Sequence, residues 1–107
     1  MTKIKAWMDG EWFCLKAQGH AGYNPKGPDI VCAGISAICC ALGGALEKLG
    51  QVEVVQNPGE FFLRTNPNNQ MQWGVIYGAL TGLKMIEKKF SKCVVADVEI
   101  ERTREYN

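Results

Sequence analysis

The sequence has little that would hold a metal ion or a nucleic acid. It contains one histidine, His20, and no C-x-x-C pair, whereas a structural zinc site needs four ligands at short spacings. Its 12 basic and 11 acidic residues nearly balance, and no segment is strongly enriched in lysine and arginine. These counts argue against a structural zinc site and against nucleic-acid binding, which depends on a basic surface.

Features of secretion and of membrane insertion are also missing. The first ten residues carry two lysines and an aspartate where a signal peptide has an apolar core. The apolar stretch 30–46 is interrupted by Ser36 and consists mostly of small residues, whereas a membrane span needs about 18 apolar residues. The cysteine count of five is odd, unlike a disulfide framework. We therefore expect no membrane span, and a reducing cytoplasm as the location.

What the chain does have is enough apolar material for a core. At 107 residues, with 47% of positions hydrophobic, we expect one domain over residues 1–107. A domain of this length buries about 65% of the surface of its unfolded chain, so it needs no metal or crosslink to fold. The five cysteines therefore require another explanation.

Hydrophobic periodicity predicts five strands and two helices. Turn residues at 9–10 and at 57–59 each separate two β-prone runs, which is typical of hairpins. Helical spacing predicts one helix between a cap at Asp29 and a stop at Gly50, and a second from about Gln70 to Lys89. The order β-β-α-β-β-α-β favours an α+β fold, with a two-layer, mainly antiparallel five-stranded sheet covered on one face by two helices.

Each predicted helix carries a stripe of small residues at every fourth position. The stripes consist of Ala33, Ala37, Ala41 and Ala45 on the first helix, and Gly74, Gly78 and Gly82 on the second. Small residues let helix backbones approach closely. The simpler interpretation is that the two helices of one chain pack together, and the alternative is packing across a dimer.

Three polar side chains share one narrow face of the first predicted helix. Measured from its apolar stripe at about 100° per residue, Cys32 lies at about 100°, Ser36 at about 140° and Asp29 at about 160°. Cys32 is also the third residue after the expected cap, where the helix dipole favours a thiolate. His20 lies just upstream, in the glycine-rich segment 19–28. A cysteine, a histidine and a carboxylate are the nucleophile, base and orienting group of acyl-transfer enzymes.

Each of these residues also has an ordinary structural interpretation. Cysteine is among the most buried residue types, and packing is the role we expect for the other four, Cys14, Cys39, Cys40 and Cys93. A loop histidine is commonly solvated, Asp29 can serve only as a cap, and Ser36 can bond a carbonyl one turn back. Spacing alone leaves these alternatives open.

A contiguous motif surrounds the candidate residues. It reads Gly-His-Ala-Gly-Tyr at 19–23, Gly27, Asp-Ile-Val-Cys-Ala at 29–33, and Ser36. This motif resembles the signature of the ribosomal-processing cysteine proteases, the Prp family, at 12 of the 18 positions from 19 to 36. The rest of the chain is similar to the family in length and in the order of strands and helices. The sequence departs from the cellular members at positions 24–26 and 28 and at the Cys39-Cys40 pair.

The resemblance implies that Cys32 is the nucleophile and His20 the general base and later acid, with Asp29 and Ser36 supporting them. It implies a homodimer without a cofactor, in a bacterial or phage-infected cytoplasm. The implied substrate is an N-terminal extension of a large-subunit ribosomal protein, removed after a motif that contains phenylalanine. Phage-encoded relatives act instead on capsid or scaffold proteins.

Two alternatives use the same residues differently. The chain could be a non-catalytic, dimeric binding module of a ribosome or virion, with the first helix as a scaffold. It could also be another Cys-His acyl-transfer enzyme, since the chemistry up to the acyl-enzyme is shared. For the protease we expect the loop to bind substrate and to bring His20 into place when a peptide binds. The residues assigned to this loop function are Gly19, Gly22, Tyr23 and Gly27.

Overall fold

A computed structural model describes residues 1–20 and 30–100. Its elements are β1 Thr2–Asp9, β2 Trp12–Gln18, α1 Ile30–Leu49, β3 Val52–Asn57, β4 Glu60–Thr65, α2 Gln70–Lys89 and β5 Val94–Glu99. The predicted order of strands and helices is confirmed. α1 ends just before Gly50, and α2 has the bounds that its periodicity predicts.

The strands form one sheet in the order β3-β4-β2-β1-β5. Three neighbouring pairs are antiparallel, and β5 lies parallel to β1 because α2 carries the chain across to the far edge. The mainly antiparallel α+β sheet is therefore confirmed. Both hairpins turn through a glycine with positive φ, Gly10 at 63° and Gly59 at 72°, a conformation that glycine adopts at little cost.

The core fills the space between the sheet and the two helices. Alternate residues of the strands and one stripe of each helix face it. The largest fully buried side chains come from both layers: Phe13, Leu15, Leu46, Leu63, Ile76 and Leu83. Burial of each such side chain stabilises the fold by about 1.5–3 kcal/mol, so the core holds both the sheet and the start of α1 in place.

The stripes of small residues face outward over most of their length. Five of their seven members are exposed: Ala33, Ala37, Ala41, Gly74 and Gly78. The helices do touch at Gly82, where an added Cβ would lie 3.0 Å from Cδ1 of Ile38. The interpretation that the stripes pack the helices of one chain together is therefore wrong for the five exposed positions.

α1 is long and apolar. An 18-residue window within its 20 residues has a mean hydropathy of 1.9, enough to cross a membrane by length and composition alone. Interruption by Ser36 therefore does not by itself exclude a span over this stretch. Buried core helices pass the same test, and Val31, Ile35, Leu42 and Leu46 of α1 lie in the core.

Candidate active site

A cleft of about 460 Å³ opens where the first turns of α1 meet the end of β2 and the β3–β4 hairpin. Four candidate residues from the sequence line it: Gly19, His20, Cys32 and Ser36. Four others lie outside the described residues: Gly22, Tyr23, Gly27 and Asp29. The fold thus brings the predicted nucleophile and the predicted base to one cavity from two different elements.

Cys32 is the third residue of α1 and is half-buried at the edge of the core. Its neighbour Val31 is 2% exposed and Ile35 is 5% exposed, so the first turn that carries the thiol is fixed by packing. The positive end of the helix dipole lies within this turn. Ser36 follows one turn later and is exposed on the cleft wall.

The other cysteines differ from Cys32 in their surroundings. Burial, with a smaller contribution from the neighbouring Cys40, raises the pKa of Cys39 to about 11. Burial also raises the pKa of Cys14. Cys93 is half-buried, whereas Cys40 is exposed, so the expectation that all four serve packing is wrong for Cys40. None of the five cysteines, all of which lie within the described residues, forms a disulfide.

His20 is the second residue after β2, and the backbone of Gly19 between them sets its position. The N–H of Gly19 donates to the carbonyl of Gly59 at 2.8 Å, which ties the end of β2 to the hairpin tip. Gly19 has a φ of 98°, and an added Cβ would lie 2.5 Å from the carbonyl oxygen of Met1. Only glycine fits this close approach, so the first glycine of the motif has a structural reason.

The tip of the β3–β4 hairpin forms the cleft wall beside His20. A Cβ added at Gly59 would lie 3.1 Å from Nε2 and 3.4 Å from Cε1 of His20. The other residues of this wall are Gln56, Asn57, Pro58 and Glu60. Sequence reasoning predicted the hairpin but not its place in the site, because only the pairing of β4 with β2 brings the tip to the end of β2.

Thr2 lines the inner side of the cleft and is 4% exposed. Its Oγ1 is buried and has no hydrogen-bond partner in the part of the chain that the structure describes. The sequence carried no signal for this residue, since a threonine at the start of a strand is unremarkable by pattern. A buried hydroxyl without a partner is energetically unfavourable.

The described residues offer no group of three His, Cys, Asp or Glu side chains that could hold a metal ion. Two thiols, those of Cys32 and Cys39, and the His20 imidazole line the cleft. Cys39 is only 2% exposed and its pKa is raised to about 11, so Cys32 is the candidate nucleophile of the two. In a thiol hydrolase, a thiolate attacks the carbonyl carbon and an imidazole carries the proton. The cleft therefore holds the two kinds of side chain that this chemistry uses.

Comparison with known proteins gives the family. Residues 1–95 match the family model described as cysteine protease Prp. No curated protein matches the chain. Because the match covers most of the chain, this protein belongs to the cysteine protease Prp family and is a cysteine protease.

Solved structures show the same fold. The S. aureus ribosomal processing protease Prp, solved with a covalently linked product peptide, is 24% identical with a TM-score of 0.81, over 92% of this chain and 100% of that chain. The same protease with a substrate peptide is 23% identical with a TM-score of 0.77, over 92% and 100%. SMU.848 from Streptococcus mutans is 22% identical with a TM-score of 0.73, over 94% and 96%.

Proposed function

We propose that the chain is an endopeptidase that removes the N-terminal extension of a large-subunit ribosomal protein, with Cys32 as nucleophile and His20 as general base and acid. The observation that carries this proposal is that both residues line one cleft. The substrate class is supported by the S. aureus relatives, which are described as essential ribosomal processing proteases and hold peptides.

The proposed reaction proceeds through an acyl-enzyme. The Cys32 thiolate, its proton held by His20, attacks the scissile carbonyl carbon and forms a C–S bond. The C–N bond then breaks, and His20 gives the proton to the leaving amine. Water, deprotonated by His20, hydrolyses the thioester, which releases the carboxylic acid and restores the thiol. In this proposal the positive dipole end at the first turn of α1 stabilises the developing oxyanion, and Ser36 and Asp29 are supporting residues.

The cleavage test uses the full-length ribosomal protein with its extension, and phage capsid and scaffold proteins in parallel. We expect mass spectrometry to find one new N-terminus on the ribosomal protein, and none with Cys32→Ser. Cys40→Ser is the matched control, because Cys40 is exposed on the same helix and outside the cleft. Cleavage by Cys32→Ser would contradict the assigned nucleophile, and cleavage of phage proteins alone would contradict the assigned substrate.

Thiol alkylation tests the site without a substrate. We expect iodoacetamide to modify Cys32 faster than Cys40 near neutral pH, because Cys32 shares its cleft with His20 and lies at the start of α1. Cys39, with a pKa raised to about 11, should react slowly until the pH is strongly alkaline. Peptide mapping by mass spectrometry gives each rate. Equal rates for Cys32 and Cys40 across a pH series would contradict an activated thiol.

The proposal includes a cytoplasmic homodimer. Five cysteines outside any disulfide suit a reducing compartment. Exposed Ala37 lies in the middle of the α1 stripe, where small side chains would let a second copy approach closely. Sedimentation equilibrium should give twice 11.8 kDa, and Ala37→Arg should give a monomer with unchanged circular dichroism. A dimer that persists in Ala37→Arg would place the interface elsewhere.

A further inference from the structure

The two edges of the sheet differ in how their backbone groups are covered. At the β5 edge, the N–H of Ala96 donates to Oε2 of Glu87 at 2.6 Å, and Nζ of Lys84 donates to the carbonyl of Ala96 at 3.0 Å. Lys84 and Glu87 also form an ion pair at 2.8 Å. Side chains of α2 thus form hydrogen bonds with both the N–H and the C=O that Ala96 turns outward in the middle of β5. An edge covered in this way resists the addition of another strand.

The β3 edge has no such cover within residues 1–20 and 30–100. Asn57 pairs with Glu60 across a two-residue turn, so these two residues exchange both backbone hydrogen bonds. Because antiparallel pairing alternates, every second residue of β3 bonds to β4. The residues between them turn their N–H and C=O groups outward: Val52, Val54 and Gln56.

β3 has few of the features by which natural edge strands avoid pairing, since its one charged residue, Glu53, forms an ion pair with Arg64 of the neighbouring β4. Its six residues include no proline and no lysine, and its side chains are mostly exposed, Val54 by 43% and Val55 by 53%. The side chain of Val54 leans toward α1, where its Cγ2 would lie 3.5 Å from a Cβ added at Gly43. The groups of β3 that are available for binding are therefore the N–H and C=O groups along its outer edge.

The open edge leads into the active-site cleft. Gln56 and Asn57, at the end of β3, line the same cleft as Cys32 and His20. An extended polypeptide that bonds to the β3 edge would therefore reach the cleft that Cys32 lines. Backbone pairing of this kind gives affinity without requiring a particular sequence, and leaves specificity to side-chain pockets.

We propose that the substrate polypeptide binds as an added β-strand along the outer edge of β3, with its backbone bonded to Val54 and Gln56. This inference rests on the proposed endopeptidase function and defines how that substrate is held. The substrate class is then an unfolded terminal segment, free to become extended, whose pairing residues are not proline. A second copy of the chain, paired edge to edge through β3, is the competing occupant.

Amide exchange tests the occupant directly. The probe is a synthetic peptide that spans the extension and cleavage site of the ribosomal protein, added to ¹⁵N-labelled Cys32→Ser protein. We expect exchange at the outward N–H groups of Val54 and Gln56 to slow at least about tenfold, as expected for newly bonded amides. The N–H of Val55, which already bonds to β4, is the internal control.

The other outcomes of this experiment are equally informative. A bound peptide without protection at Val54 and Gln56 would overturn the inference, as would the absence of binding. Protection that is present without peptide and is lost on dilution would identify a second copy as the occupant and would also overturn it. Cleavage of the ribosomal protein by the wild type is measured separately, so failure of the proposed function is seen independently.

A proline substitution tests the same hydrogen bond during turnover. Val54→Pro removes an outward N–H and no bond to β4, whereas Val54→Ala shortens the same side chain and keeps the N–H. We expect kcat/KM on the peptide to be about tenfold lower in Val54→Pro than in Val54→Ala, through a higher KM at similar kcat. Equal kcat/KM in the two variants would overturn the inference.

Discussion

Replacing Gly59 by alanine would test whether the hairpin tip holds His20 in place. At a φ of 72°, the left-handed backbone costs an alanine about 1–2 kcal/mol. The new Cβ would lie 3.1 Å from Nε2 of His20, so the imidazole has to move by a few tenths of an ångström. Since a misplacement of about 1 Å costs about a hundredfold in rate, we expect kcat to fall about three- to tenfold.

Gly10 provides the matched control for this substitution. It occupies the tip of the β1–β2 hairpin with a φ of 63°, and an added Cβ would meet nothing within 4 Å. Gly10→Ala should lose a similar free energy of unfolding in urea and keep its kcat on the ribosomal peptide. The pH profile of kcat should change only for Gly59→Ala. Equal kcat values for the two folded variants would refute the argument that the tip positions His20.

Two further substitutions test individual polar groups. Thr2→Val should raise the free energy of unfolding in urea by about 1 kcal/mol, because it removes a buried hydroxyl without a partner in the described residues; a comparable loss would contradict this. The hydrogen bond from the N–H of Ala96 and, after it, the one from Lys84 lower the pKa of Glu87 below its ordinary 4.5. The stabilisation that the Glu87 carboxylate gives the fold is therefore present above pH 4.5 and is lost as the pH falls through the folded-state pKa. Glu87→Gln should therefore destabilise the protein by about 1 kcal/mol at pH 7 and have little effect near pH 2, and an equal loss at both pH values would contradict the linkage.

The features that the sequence predicted correctly are those with local causes. The side chain of Asn69 accepts from the N–H of Gln72 and begins α2, and Gly50 follows the last residue of α1. Asp9-Gly10 and the segment 57–59 produce the two hairpins. In each case the signal and the structure that it specifies lie within a few residues of each other.

The features that the sequence did not predict depend on distant pairing. Pairing of β4 with β2 places Gly59 against His20, although 38 positions separate them in the chain. Gln72 is 3% exposed because it bonds both the N–H of Asn68 and the carbonyl of Leu49 across the end of α1. Hydrophobic periodicity indicates which residues are apolar at a given spacing, but it does not indicate which residues become neighbours when they are far apart in the chain.

The candidate catalytic residues could be predicted from the sequence because they lie in one motif. The residues that form the walls of the cleft are spread along the chain and could not. Cys32 and His20 lie within the segment 19–36, so a contiguous resemblance is enough to propose them as catalytic residues. The hairpin wall and Thr2 come from other parts of the chain and have no unusual composition. These residues line the cleft because of where their backbone lies, and the pairing of all the strands in the sheet determines that position.

The β3–β4 hairpin connects placement of the base with binding of the substrate. Its tip contacts His20 and bonds the N–H of Gly19, while its outer edge is the proposed substrate strand site. A strand added to β3 would stabilise the same hairpin whose tip lies beside the imidazole. Because coupling between two sites is reciprocal, an ordered tip would then favour substrate binding by the same free energy with which bound substrate favours an ordered tip. The covered β5 edge directs an incoming strand to the edge where this coupling operates.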